Sequence, residues 1–189
     1  MARTRILLDS NSYFRLAKSI HPLLDREFGD TRYCLYVTPD LDAEFTNSPR
    51  LRRKFHWVNE PEYHANRMRP LQLSGAERKS ILQAYDFIHN HARTEGFGVS
   101  PVDARALATA YVLQVQVVTD DRDMLFLAEA FGIQTLKTLA LMQLMLNCGH
   151  IDMDCVRQIV RYWQYEKDTP AEFRKDYPLL FGEQVPPPL

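Results

Sequence analysis

Only three of the 189 residues are cysteine, and Cys34, Cys148 and Cys155 form no Cys-x-x-Cys pair and leave one thiol over. That excludes a disulfide-stapled scaffold and points to a reducing, cytoplasmic setting. No stretch of about 18 uninterrupted apolar residues occurs, so no segment suits a membrane-spanning helix. The opening "MARTRILLDS" has basic residues and a short apolar run, but Asp9 ends that run too early for a signal-peptide core. Net charge is missing too: 23 Lys and Arg stand against 24 Asp and Glu. No global field draws in nucleic acid or an anionic membrane, and any such partner must be met by a local patch. Internal repeats, low-complexity linkers and a Gly-rich phosphate loop are also absent.

What is present has to be read from order rather than composition. "TRILLDSN" is a short run apolar on both faces, the pattern of a parallel strand covered by helices. Phe14, Leu16, Ala17, Ile20, Leu23, Leu24 and Phe28 then recur near helical spacing across 11–28, with Pro22 able to split the stretch and Gly29 to close it. "YCLYVTP" reads as a second strand, ended by Pro39, and a helix follows with Leu41, Glu44 and Phe45 on one side. Ser74 with Glu77 forms a capping box at the head of a long amphipathic helix over 74–95. "SPVDARALATAYVLQ" has Ser at the cap and Pro at the first helical position. "VQVVTDD" is a third strand, "RDMLFLAEAFG" a helix stopped by Gly132, and "IQTLKT" a short fourth strand; helices follow over 138–148 and 152–167. Strands separated by helices imply right-handed crossovers and a parallel sheet. The expectation is an α/β, three-layer sandwich with additional C-terminal helices. Its division is a domain over 1–150, a helical extension packed on it over 151–180, and a loose tail from 181 to 189.

In such sheets a ligand site lies outside the carboxyl ends of the strands. The first strand ends on Asp9, and the third on Asp120 and Asp121, with Asp123 following within a turn. Glu44 shares the inward side of Leu41 and Phe45, and Asp103 lies on the apolar stripe of Ala106, Leu107 and Ala110. Singly, each Asp has a plainer reading as a helix cap, and Ser100-x-x-Asp103 is itself a capping pattern. Together they are harder to dismiss. Several carboxylates at one edge repel one another and raise each other's pKa, and a bound divalent cation turns that repulsion into ligation. An all-oxygen set selects Mg²⁺ or Mn²⁺ over zinc, and such an ion can activate water and stabilise a phosphoryl oxygen.

"LLDSN" after the first strand, the acid of "DLDAEF", "SPVDARALATA" at a helix start and "VVTDDRDM" after another strand occur in an order that resembles the PIN-domain nucleases. The likeness is nearest to the VapC-type toxin ribonucleases of toxin–antitoxin pairs and spans about residues 4 to 140. It implies a PIN-like fold and a metal-binding catalytic set of Asp9, Glu44, Asp103 and Asp121. Ser10, Asn11, Thr119, Asp120 and Asp123 become supporting groups. Asp42 competes with Glu44 for the second position, and the insertion near 50–75 and the C-terminal helices depart from the minimal family domain. The resemblance further implies Mg²⁺- or Mn²⁺-dependent hydrolysis of single-stranded or looped RNA leaving a 5′-phosphate, an antitoxin partner, and a homodimer.

Residues 50–79 carry eight Lys and Arg against three Glu. A local +5 suits phosphates, so Arg50, Arg52, Arg53 and Lys54, beside Phe55 and Trp57, are candidate RNA contacts; the competing view is a solvated helix face with both aromatics in the core. His89 and His91 lie two apart on a helix and point different ways. The run "LMQLMLNC" fits core or dimer packing. Two rival functions remain: a phosphatase of the haloacid-dehalogenase type, which wants an Asp where this chain has Asn11, and a nuclease-like domain kept as a silent binding module.

Overall fold

The structure of the chain, a computed structural model, describes residues 3–69 and 71–188. In chain order its elements are β1 (Thr4–Leu8), α1 (Ser10–Leu16), β2 (Glu27–Phe28), β3 (Tyr33–Tyr36), α2 (Asp40–Asn47), α3 (Pro49–Lys54), a 3₁₀ turn (His56–Asn59) and α4 (Pro61–Arg67). They continue with α5 (Gly75–Glu95), α6 (Pro101–Leu113), β4 (Gln116–Val118), α7 (Arg122–Ala130), β5 (Thr135–Leu136), α8 (Thr138–Asn147), α9 (Met153–Tyr165) and α10 (Phe173–Phe181).

The strands form one sheet in the order β2-β3-β1-β4-β5, parallel except for the β2–β3 pair. β1 sits at the centre, pairing Ile6 with Leu35 on one side and with Gln116 on the other. Side chains alternate across a strand, so the doubly apolar β1 feeds two cores. Ile6, Leu8, Leu35 and Val118 pack with Phe14, Phe45, Met142, Ile159 and Trp163. Leu7, Cys34, Tyr36 and Val117 pack with Ile81, Ile88, Leu107 and Leu127 on the opposite face. Each fully buried leucine of this kind contributes roughly 2 kcal/mol relative to exposure. The expected three-layer α/β arrangement is therefore present, and α9 and α10 share the first core through Trp163 and Tyr177.

Helix boundaries follow local chemistry. Ser74–Glu77 and Ser100–Asp103 both make complete capping boxes, and α5 ends on Gly96 at φ 76°. Four segments differ from the sequence expectation. The helix expected over 11–28 stops at Leu16; Ile20, Leu23, Leu24 and Phe28 are buried nonetheless, as loop residues and a short antiparallel strand. Periodic apolar residues report what is buried, not the backbone that buries it. The stretch 49–67 folds into two short helices and a 3₁₀ turn. A last helix, α10, begins at Phe173. The tail expected to be loose from 181 is packed at its near end: Glu183 pairs with Arg157, Pro186 is buried, and Gln164 donates to the Pro186 carbonyl at 2.8 Å. Met1, Ala2, Pro70 and Leu189, which belong to the expected N-terminal run, insertion and tail, lie outside the described residues. Among the described residues no helix is long and apolar enough to cross a membrane.

Candidate active site at the acidic strand edge

The chain passes from β1 to β3 on one side and then returns to β4 on the other, which makes the carboxyl end of β1 a topological switch point. Asp9 stands there. It caps α1, accepting the Ser12 amide at 2.6 Å through Oδ1 and the Thr119 hydroxyl at 2.6 Å through Oδ2. The side chain is only 3 % exposed. Burial lifts its pKa from 3.8 to about 6, against the pull of the Thr119 and Ser12 hydrogen bonds and with a smaller push from the charge of Asp120.

Glu44, on α2, is half-buried and accepts the Ser10 hydroxyl at 2.5 Å. Its pKa is raised by burial, which Ser10 partly offsets, and by the charge of Asp103. Asp103, in the first turn of α6, accepts from the Ser100 hydroxyl at 2.7 Å. Burial raises its pKa as well, and the charge of Asp121 adds to the effect. Asp121 is exposed, caps α7 through the Met124 amide, and donates its own amide to the Thr119 hydroxyl at 3.1 Å. Thr119 thus joins Asp9 to Asp121 by hydrogen bonds, Ser10 holds Glu44, and the charge of Asp121 is felt at Asp103 and that of Asp103 at Glu44.

The donor set suits a hard divalent cation: carboxylates only, three of them with raised pKa values. Spacing is a separate matter. Among the described residues no three acidic, His or Cys side chains gather closely enough to hold an ion.

The supporting residues divide. Ser10 and Thr119 serve the acids directly. Asn11 is exposed beside them. Asp123 holds the loop before α6, accepting the Gly98 amide at 2.7 Å. Asp120 turns away: it pairs with Arg15 at 2.9 Å and accepts both the amide and the hydroxyl of Thr138, fastening β4 to α1 and α8. Asp42, the competitor of Glu44, is held at 2.8 Å by the buried Arg67, which also binds the Tyr13 hydroxyl and the Val58 carbonyl. Sequence reasoning missed Ser12, Arg15 and Arg67. An Asp-x-x-Ser spacing could have flagged Ser12, whereas nothing local signals the two arginines.

In the basic stretch, Arg50, Arg52 and Arg53 are exposed on or near α3, while Lys54 pairs with Asp168 at 3.2 Å. The aromatics are not available to bases. Phe55 and Trp57 are buried, Phe55 stacking on Phe14 with ring centroids 4.7 Å apart. In the run "LMQLMLNC", Met142 and Met145 are buried in this chain's own core, as are Val156, Ile159, Val160 and Trp163 of α9, whereas Leu144 and Leu146 are half-buried. A cleft of about 1060 Å³ lies at the opposite end of the sheet around Thr4, Tyr33 and Gln116, away from the acids.

No family model matches the chain, and a search of curated proteins finds no match. Among solved structures it is similar to FitAcB from Neisseria gonorrhoeae, with 19% identity over 70% of this chain and 97% of that one and a TM-score of 0.45. At that score the likeness decides neither fold nor chemistry.

Proposed function

We propose that the acidic edge is the catalytic centre of a Mg²⁺- or Mn²⁺-dependent endoribonuclease, acting on single-stranded or looped RNA. What supports this reading is the series of links from Asp9 through Thr119 to Asp121 by hydrogen bond and from Asp121 to Asp103 to Glu44 by charge, with burial raising the pKa of Asp9, Glu44 and Asp103. Asp9, Glu44, Asp103 and Asp121 would hold the cation, which supplies Lewis-acid stabilisation of the phosphoryl oxygens and an activated water. Thr119 fixes one oxygen of Asp9, and Ser10 orients Glu44. Arg50, Arg52 and Arg53 offer positive charge to the RNA backbone. A toxin of this class implies an antitoxin protein laid across the edge, and we extend the proposal to such a partner.

A second reading has one observation in its favour. Asp9, Asp103 and Asp121 each cap a helix, so all three are explained without catalysis. The chain would then be a silent binding module. Cleavage of labelled RNA by wild type and Asp9→Asn, each with Mg²⁺, Mn²⁺ or chelator, separates the two. The nuclease reading expects cleavage by wild type with metal only. Intact RNA in every arm, together with no Mn²⁺ heat in calorimetry, supports the silent module.

A further inference from the structure

A second cavity, about 410 Å³, opens beside the acidic edge on the face covered by α5 and α6. Its floor is apolar, with Leu7, Val37 and Ile81 among the lining residues. Leu7 lies two residues before Asp9 and therefore on the same strand end. Two arginines, Arg78 and Arg105, line it against one carboxylate, Asp40. Neither arginine makes an ion pair among the described residues, and the Arg105 Nε is screened from solvent with no acceptor. The Arg105 guanidinium lies over the Tyr85 ring, 4.3 Å from its centroid, which holds its plane fixed.

An unpaired, pre-oriented guanidinium at the wall of an apolar cavity is the chemistry that recognises an oxyanion on a largely apolar or planar body. The volume falls in the range of small-molecule sites. We infer that this cavity binds a nucleotide, its phosphate on Arg105 and Arg78 and its base or sugar on the apolar floor. The anion site stands on the cavity and its arginines. That the anion belongs to a nucleotide rests on the nuclease reading of the neighbouring acids.

Calorimetry on the full chain in chelator tests this without catalysis, using a nucleoside 5′-monophosphate, its parent nucleoside and a short RNA oligomer. The monophosphate is expected to bind at least tenfold tighter than the nucleoside. Arg78→Ala and Arg105→Lys are each expected to weaken it about tenfold, the lysine keeping the charge while losing the planar fork. Arg78 is exposed, so its variant tests the site even if Arg105→Lys disturbs the packing on Tyr85. An oligomer binding tenfold tighter than the monophosphate assigns the cavity to a strand reaching the acids; equal affinity assigns it to a free nucleotide, and both support the site. Equal affinity for nucleoside and monophosphate, no binding at all, or unchanged binding by both variants overturns it. Asp9→Asn should bind the monophosphate as wild type does, so loss of RNA cleavage in that variant leaves this result untouched.

Discussion

Replacing Asp9 by Asn swaps a buried carboxylate for a neutral side chain of nearly the same shape, and the metal-free protein should become more stable. Burial carries the Asp9 pKa from 3.8 to about 6. At about 1.4 kcal/mol per pH unit, the charged form costs the folded state on the order of 3 kcal/mol at neutral pH. Asn retains an oxygen for the Ser12 amide. Its amide cannot accept from Thr119, whose hydroxyl already receives the Asp121 N–H, and that mismatch returns about 1 kcal/mol. The net gain at pH 7.5 is about 1–2 kcal/mol, or roughly 2–8 °C in Tm for a chain of this size. The pH dependence has a definite sign. Because the folded pKa lies above the unfolded one, the folded chain binds the proton more tightly, so wild-type stability rises as pH falls from about 6 towards 4. The raised pKa values of Glu44 and Asp103 act in the same direction. The advantage of Asp9→Asn should therefore shrink or vanish at pH 4.5. Thermal and urea unfolding in EDTA at both pH values measures this. A variant no more stable than wild type at pH 7.5, or a gain undiminished at pH 4.5, refutes the reasoning.

Three further outcomes follow from the same contacts. Asp120→Ala strips the buried partner from Arg15 and two bonds from Thr138 and should cost about 3–5 kcal/mol in urea unfolding, whereas Asp121→Ala loses a cap worth about 1 kcal/mol and, on the proposed nuclease function, should abolish the RNA cleavage tested above. Arg67→Met leaves Asp42, the Tyr13 hydroxyl and the Val58 carbonyl without their donor, and differential scanning calorimetry should record a loss of about 3 kcal/mol or more. Charge reversal of Arg52 and Arg53 should weaken RNA binding in fluorescence anisotropy and flatten its salt dependence; an unchanged slope removes α3 from the RNA path.

The legibility of this chain was uneven for physical reasons. Capping boxes at Ser74 and Ser100 are local, so α5 and α6 could be placed to within a residue. The doubly apolar β1 revealed a covered parallel sheet because each face must be buried. Residues 17–28 misled because Ile20, Leu23 and Leu24 satisfy burial from a loop as well as from a helix. The adjacent acids Asp120 and Asp121 are separated only through the family resemblance; nothing local in the sequence shows that Arg15, distant along the chain, draws Asp120 into a salt bridge while Asp121 stays exposed. Phe55 and Trp57 raised the same difficulty, since an aromatic beside arginines is equally at home in a core or on a nucleic-acid surface.

The connection from β3 to β4 departs from the acids at Glu44 and comes back to them at Asp103. Glu44 is held by Ser10, which lies outside the connection, and Asp103 by its own capping box with Ser100. Residues 45–102 are thus a detour with fixed ends, and lengthening such a detour costs little closure entropy. Evolution or engineering can rebuild what the detour presents to a partner while the strand edge it leaves and rejoins stays in register.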